Sequence, residues 1–367
     1  MADVEMIEFA VIGGGPAGLA AAAEAAHAGV KVTLIDENSR PGGQLFKQIH
    51  KFFGSENHGA GTRGIDLGRI HLERALAAGV DVRLDTVCWG ITSDLELALW
   101  SGNATHRVKA QRVAIATGAS ENALAFPGWT LPGVMGAGAA QTMINLHRVL
   151  PGQHALMVGS GNVGLIVAYQ MLQAGMDVAA VLEALPRVGG YAVHAAKIAR
   201  AGVPVLTRHT ISEVTGDGRV ERATIVALGE DGRALPSLSR TLDVDVVCLA
   251  VGLTPLAELA WIAGCRFAYI PELGGHVPLH DESMESTVPG LYVAGDITGI
   301  EEASTAMEEG RLAGLSVALS LCRISRDEYD TRRMGIDRAL AEIRQGPFGE
   351  KLGRAKAELL EQRKTAV

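Results

Sequence analysis

The stretch Val11-Ile12-Gly13-Gly14-Gly15-Pro16-Ala17-Gly18 decides the fold. An apolar, β-rich run from Ile7 to Ile12 leads into it, and an Ala-rich helical stretch follows. Lys31 to Ile35 is a second apolar run and ends at Asp36. The hydrophobic period changes from strand to helix where the glycines sit, so the segment reads as strand, turn, helix, strand. Gly13 permits the tight turn, Gly15 lets a pyrophosphate approach the backbone, and Gly18 lets helix and strand pack closely. With Pro16 and Ala17 they form a candidate phosphate cradle, to which the helix N-terminus adds N–H groups and partial positive charge. Asp36 can accept hydrogen bonds from an adenosine ribose.

The same unit recurs. Ala155 to Val158 reads as a strand, Gly159-Ser160-Gly161-Asn162-Val163-Gly164 as the turn, and the stretch through Gln173 as a helix. Asp177 to Leu182 is the next strand and ends at Glu183. Gly159, Gly161, Asn162, Gly164 and Glu183 are the candidate contacts there. A carboxylate at Glu183 favours a free 2′-hydroxyl and repels a 2′-phosphate, which argues for NAD(H) over NADP(H). A retained fold that holds another adenine nucleotide, or none, stays open, because glycines alone do not report occupancy.

Outward from these two turns, Val113 to Ala116 is a strand ending in Thr117-Gly118, and Val244 to Val251 another ending at Gly252. Ser101-Gly102-Asn103, Gly216-Asp217-Gly218 and Asp231-Gly232 are hairpin signals. Gly290 to Ala294 is a further strand, ending at Gly295-Asp296, with a helix from about Ala303 to Cys322. Asp296 alone reads as a helix cap. Taken with the N-terminal unit, it can hydrogen-bond a flavin ribityl hydroxyl, and the helix N-terminus beyond it can stabilise reduced, anionic flavin.

Composition narrows the class. The 367 residues predict two or three domains. Lys plus Arg number 33 against 41 Asp plus Glu, a net charge of −8, so nucleic acid is not expected as a partner. Hydrophobic residues at 48% and charged residues at 20% describe a globular chain rather than a disordered one. Cys88, Cys248, Cys265 and Cys322 stand far apart, without CxxC or zinc spacing, which predicts buried, reduced thiols in a cytoplasmic protein and no metal site. Leu19 to Val30 carries Glu24 and His27 and no basic leader, so it is not read as a signal peptide. Ala155 to Leu182 is broken by four glycines and by Asn162, Gln170, Gln173 and Asp177, so it is not read as a transmembrane segment.

The N-terminal motif, Ala116-Thr117-Gly118, the Gly159 set, Ala250-Val251-Gly252 and Gly290 to Asp296 occur in that order. Together they resemble a two-dinucleotide-binding-domain flavoprotein of the disulfide-reductase and thioredoxin-reductase class. The resemblance implies an α/β fold of two Rossmann-like nucleotide-binding domains, with an NAD-type domain (123–281) inserted in a discontinuous FAD domain (1–122 and 282–324). A charged tail, 325–367, follows, helical from Gly335 and interrupted at Gly346-Pro347. The implied cofactor contacts add Glu37, Gly43, Gln44, Val87, Thr117, Gly118, Gly252, Gly295, Asp296 and Ala303.

Arg40-Pro41-Gly42-Gly43-Gln44-Leu45 resembles the loop after the ribose-binding acid in thioredoxin-reductase-like members. Pro132-Gly133-Val134-Met135 with Gly138-Ala139-Ala140-Gln141-Thr142, Ile300-Glu301-Glu302-Ala303, and Glu309 to Gly314 resemble the alpha subunits of amine and imino-acid dehydrogenases and oxidases. That group includes hydrogen cyanide synthase, opine oxidase, proline or hydroxyproline dehydrogenase and sarcosine oxidase alpha. Two departures stand out. Ala139-Ala140-Gln141-Thr142 occupies the region where thioredoxin reductase carries its cysteine pair, so dithiol chemistry is not expected. Many such alpha subunits also carry a C-terminal [2Fe-2S] domain; here the last cysteine is Cys322, so the cluster is expected on a separate protein, or the electron path differs.

The expected function is an electron-transferring FAD subunit without a redox-active disulfide. Its expected partners are a small [2Fe-2S] ferredoxin-like protein and a second, substrate-oxidising flavoprotein, in an oligomeric assembly. Alternatives are a stand-alone NADH-dependent reductase of a ferredoxin, quinone or small acceptor, and a non-catalytic nucleotide-binding scaffold. No general acid or base stands out. His50, Lys51 and His58, around Lys47-Gln48-Ile49-His50-Lys51-Phe52-Phe53, can line a flavin or a docking surface, or simply form a solvated loop.

Overall fold

The computed structural model describes residues 4–52 and 55–365. Phe53 therefore lies outside the described residues. In chain order the elements begin with β1 (Glu5–Ile12), α1 (Pro16–His27), β2 (Val32–Ile35), α2 (Gly64–Ala77), β3 (Asp81–Arg83), β4 (Val87–Ile91), β5 (Glu96–Ser101), β6 (Ala104–Ile115) and β7 (Ala119–Glu121). There follow β8 (Val134–Gly136), α3 (Ala137–Thr142), β9 (His154–Val158), α4 (Asn162–Gln173), β10 (Asp177–Glu183), α5 (Ala192–Arg200), β11 (Val205–Thr207), β12 (His209–Thr215), β13 (Arg222–Leu228), β14 (Ala234–Asp243) and β15 (Val246–Leu249). The chain closes with β16 (Leu253–Pro255), α6 (Glu258–Ile262), β17 (Phe267–Ile270), β18 (Gly275–Pro278), β19 (Leu291–Val293), α7 (Ala303–Ser320), α8 (Arg326–Ile343) and α9 (Gly346–Thr365).

Two compact units result. The first joins the chain up to Ser120 with everything from Thr254 onward; the second is Glu121–Leu253. The inserted domain therefore ends well short of the expected limit at 281. Residues 254–281 belong to the first unit, because Ala257, Leu259, Ala260, Ala263 and Cys265 bury among Ile7, Ile12, Ile115 and Leu291.

In the first unit β3, β2, β1 and β6 lie side by side and parallel, and β19 adds parallel to the end of β6. The long β6 serves three partners. From Val108 onward it pairs with β1 (Ile12 with Ile115), its last three residues also pair with β19, and its first residues pair antiparallel with β5 across the Gly102-Asn103 turn. Both residues of that turn have positive φ, as a tight hairpin requires. The parallel strands are covered on both faces, so their runs are continuously apolar. Phe9 and Val11 face a core shared with α1, α7 and α8; Ala10 and Ile12 face the opposite core.

Helix α1 is Ala-rich because α7 lies against it backbone to backbone. A Cβ on Gly310 would stand 2.1 Å from Ala17 O, and one on Gly314 2.3 Å from Ala21 O. The C-terminal segment is not a detached tail. Ser325 Oγ accepts a bond from Glu328 N at 3.2 Å, starting α8 at Arg326 rather than at Gly335. Tyr329, Ile336 and Leu340 bury in the α1–α7 core, and Ala355 and Leu359 of α9 pack with Leu273 and Val277. The sequence hides this docking because the segment's polar residues outnumber the few apolar ones that make it.

The second unit repeats the theme with the parallel order β11-β10-β9-β15-β8. One face carries α3, α4 and α5 over Met157, Leu165, Ala168, Met171 and Ile198. The other carries the antiparallel sheet β12-β13-β14 over Leu156, Leu182, Ile211, Ile225 and Val247. The glycine turns near 216–218 and 231–232 join these three strands, where hairpins were expected. Among the described residues, no helix is long and apolar enough to cross a membrane.

Candidate nucleotide-binding sites

Both glycine-rich turns stand at the carboxyl ends of parallel strands, where open α/β sheets bind ligands. In the first unit Gly13 adopts φ +102°, and a Cβ there would lie 2.3 Å from Ala116 O. A Cβ on Gly18 would lie 1.8 Å from Gly13 O, so the helix start can touch the turn only if residue 18 has no side chain. Gly15 is different. The nearest atom to a Cβ there is Gly43 Cα at 3.9 Å, which leaves the backbone approachable. Helix α1 opens with Pro16, with neither a side-chain cap nor an acidic residue in its first turn. Its positive end is left for an external anion.

Asp36 is buried one residue past β2. Its Oδ2 accepts from Gly14 N at 2.5 Å, and its Oδ1 from Asn38 N and Nδ2 at 2.8 and 2.9 Å. Its own backbone oxygen accepts from Thr86 N at 3.0 Å, which brings Val87, the first residue of β4, beside it. Glu37 and Gln44 are exposed. Gly42 N donates to Gly14 O at 2.7 Å, so the Arg40–Leu45 loop folds over the turn and Gly43 meets Gly15. Thr117 Oγ1 donates to Leu256 O at 2.6 Å, next to Gly118. Gly295 has φ +79° and lies against Ala17, whose Cβ would be 2.8 Å from a Cβ on residue 295. The first unit thus gathers Gly13–Gly18, Asp36, Gly43, Thr117, Gly118 and Gly295 around one end of its sheet. Asp296 lies in the short turn Gly295–Thr298, and Ala303 opens α7 just beyond. Burial pushes the Asp296 carboxyl up to about 7, despite a bond from the Glu301 amide and with the Glu309 charge adding to the rise.

The second unit reproduces this geometry. A Cβ on Gly159 would stand 2.1 Å from Ala250 O, and one on Gly164 2.2 Å from Gly159 O. Around Gly161 nothing lies within 4 Å of that position. Helix α4 also starts without a cap or acid. Glu183 Oε2 accepts from Ser160 Oγ at 2.5 Å and Ser160 N at 3.2 Å, and Oε1 from Leu185 N at 2.9 Å. Asn162 Oδ1 accepts from Tyr191 N at 2.8 Å. Gly252 stands past β15, its oxygen accepting from Asn122 N at 3.0 Å.

Several residues of the site are not evident from the two motifs. Gly14 and Ser160 read as spacers in the sequence, yet their amides anchor the two acids. A signal is present: Arg40-Pro41-Gly42-Gly43 follows Asp36 at the spacing by which Arg187-Val188-Gly189-Gly190 follows Glu183. Gly42 N donates to Gly14 O at 2.7 Å; in the second unit Gly189 N donates to Ser160 Oγ at 3.0 Å and Gly190 N, one position further on, to Ser160 O at 2.8 Å. The His50–His58 loop divides. His58 is a strut, bonded to Ser55 Oγ at 2.7 Å and to Glu308 Oε1 on α7 at 3.0 Å, and His50 stacks on Phe52. All four cysteines are free thiols; burial pushes Cys88 up to about 11 and Cys248 up to about 12.

Residues 7–310 match the family model of the pyridine nucleotide-disulphide oxidoreductases. The chain belongs to that family. It is 31% identical to the A subunit of opine oxidase from Rhizobium meliloti (strain 1021) over 354 residues, covering 90% of this chain and 74% of that protein. It is 30% identical over 343 residues to hydrogen cyanide synthase subunit HcnB of Pseudomonas aeruginosa, covering 88% of this chain and 73% of HcnB. The fold matches thioredoxin reductase of T. acidophilum with a TM-score of 0.71 at 21% identity, over 87% of this chain and 99% of that one. Membership makes this an FAD-dependent oxidoreductase with the two-domain FAD and pyridine-nucleotide fold. The residues present fit such cofactors: two uncapped helix starts, two approachable glycines, and a carboxylate fixed beside each.

Proposed function

We propose that the first unit holds FAD and the second NAD(H), in an electron-transferring subunit of an amine or imino-acid dehydrogenase complex that works without a redox-active disulfide. The observation that carries this reading is the pairing of two open glycine turns with four unpaired cysteines. Flavin electrons in such a chain have no dithiol acceptor and leave by another route, and two relatives are named as subunits of larger enzymes. The acceptor we infer is a small [2Fe-2S] ferredoxin-like protein, and the donor a second flavoprotein that oxidises the amine or imino acid.

Bound FAD supplies hydride and electron transfer. The chain supplies placement. The α1 N-terminus, Gly13, Gly15, Pro16, Ala17 and Gly18 would hold the diphosphate, with Asp36 on the adenosine ribose and Gly43, Val87, Thr117 and Gly118 along the cofactor's length. Gly295, Asp296 and Ala303 would meet the flavin end. Gly159, Gly161, Asn162, Gly164 and Glu183 would hold the second nucleotide, and the Glu183 carboxylate disfavours a 2′-phosphate.

A visible spectrum followed by anaerobic NADH titration tests this. Yellow protein is expected. Bleaching by NADH and not by NADPH supports an NADH-linked flavoenzyme with NAD(H) in the second unit, and yellow protein indifferent to NADH supports a complex subunit fed by its partner, with another nucleotide or none in the second unit. Colourless protein after FAD addition overturns the reading. Turnover of the isolated chain with NADH and an artificial acceptor would support the stand-alone reductase instead, which the open second turn also favours.

A further inference from the structure

Behind the turn that bears Asp296 lies a buried cluster of charges, and the last two helices supply its cations. Glu309 of α7 accepts at Oε2 from Gly295 N (3.1 Å), with Thr298 Oγ1 at 2.8 Å. At Oε1 it accepts from Arg344 Nη2 (2.6 Å) and Lys356 Nζ (2.8 Å). Lys356 Nζ also donates to Thr298 Oγ1 at 2.5 Å. Arg344 grips Glu301 through two nitrogens at 3.0 and 2.6 Å. Lys356 is 4% exposed and Glu309 3%.

Stability alone is a poor reason for this arrangement, because a buried ion network costs so much desolvation that packed apolar residues often serve as well or better. Its placement is informative. The side-chain bonds of Glu309 and Lys356 end on the Gly295–Thr298 turn or on the network that grips it. We propose that Lys356, delivered by the C-terminal helix pair, is a positioning residue for the FAD site: through Thr298 and Glu309 it holds Gly295–Thr298, and with it Asp296, in the form that binds FAD. This rests on the first unit holding FAD as proposed above.

The test uses the full chain and compares K356M, K356R and T298V, the last removing only the hydroxyl that Lys356 grips. Apoprotein is titrated with FAD, and the flavin midpoint potential and the melting temperature of the apoprotein are recorded. K356M is expected to bind FAD about tenfold more weakly. Loss of the cation should also favour oxidised over reduced FAD by about tenfold, a fall of about 30 mV for a two-electron couple. K356R should recover most of both. Folded K356M that binds FAD as the unaltered chain does, at unchanged potential, overturns the proposal. Should K356M fail to fold, T298V decides: unchanged FAD affinity overturns the proposal and weakened affinity supports it. An unaltered chain that takes up no FAD, or an Asp36→Ala variant that keeps it, defeats the underlying site reading instead, and this inference with it.

Discussion

At the scale of single residues, two carboxylates of the first unit behave differently. Asp36 is committed: three short bonds from Gly14 and Asn38 fix it beside the turn. Asp36→Ala should lose charge-assisted bonds worth about 1.5–3 kcal/mol, weakening FAD binding roughly ten- to hundredfold in an apoprotein titration. Asp296 is held above its ordinary range, at about 7, chiefly by burial. The folded chain therefore binds a proton there that the unfolded chain has released above about pH 4. Its contribution to stability is full below that pH and is lost as pH rises through about 7. Asp296→Asn should thus melt higher than the unaltered apoprotein at pH 8, with the difference gone near pH 4, while FAD retention falls. A lower melting temperature for the variant at pH 8 would contradict this.

At the scale of elements, the decisive contact is α1 against α7, where glycines and alanines let two backbones touch. Gly310→Ala should cost about 1–3 kcal/mol, since the displaced neighbour is the Ala17 backbone of the phosphate-binding turn rather than a mobile side chain. Chemical denaturation would show it as a lower midpoint with an unchanged slope. This contact also marks the limit of what the sequence makes legible. The Gly13–Gly18 turn could be read because strand, glycines and acid are neighbours in the chain. Asp36 and Glu183 could be read for the same reason. The Gly310 contact joins residues almost three hundred positions apart, and no local pattern specifies that α7 returns to α1 rather than elsewhere. The Glu309–Lys356 bond has no local signature for the same reason, and the second unit ends at Leu253 rather than at 281 because the docking of α6 is a tertiary event. Helix α8 starts at Arg326, ahead of the Gly335 that its charge pattern suggests, because Ser325 caps it through Glu328 N.

At the scale of the whole molecule, the C-terminal helices are part of the first unit's core. Removing residues 325–367 should expose the face that Tyr329, Ile336 and Leu340 cover, giving an aggregating or markedly less stable chain rather than a trimmed one. Acid should act broadly as well. His71 and His280 are pushed down to about 4, chiefly by burial, aided by Arg74 and Lys356 respectively. The unfolded chain binds protons at both below about pH 6.5, so stability is lost as pH falls from there toward 4. A His71→Gln, His280→Gln double variant should show a flatter dependence of its urea midpoint across that window.

The insertion also imposes an order of events during synthesis. The second unit is complete once Leu253 has left the ribosome, whereas β19 and α7, which complete the first unit's sheet and cover α1, emerge later. At about 5–20 residues per second, the Ala-rich helix α1 waits roughly fifteen to sixty seconds for α7. Helix α1 thus keeps one face uncovered until α7 arrives, and a nascent chain halted once Leu253 has emerged presents a finished unit beside an unfinished one.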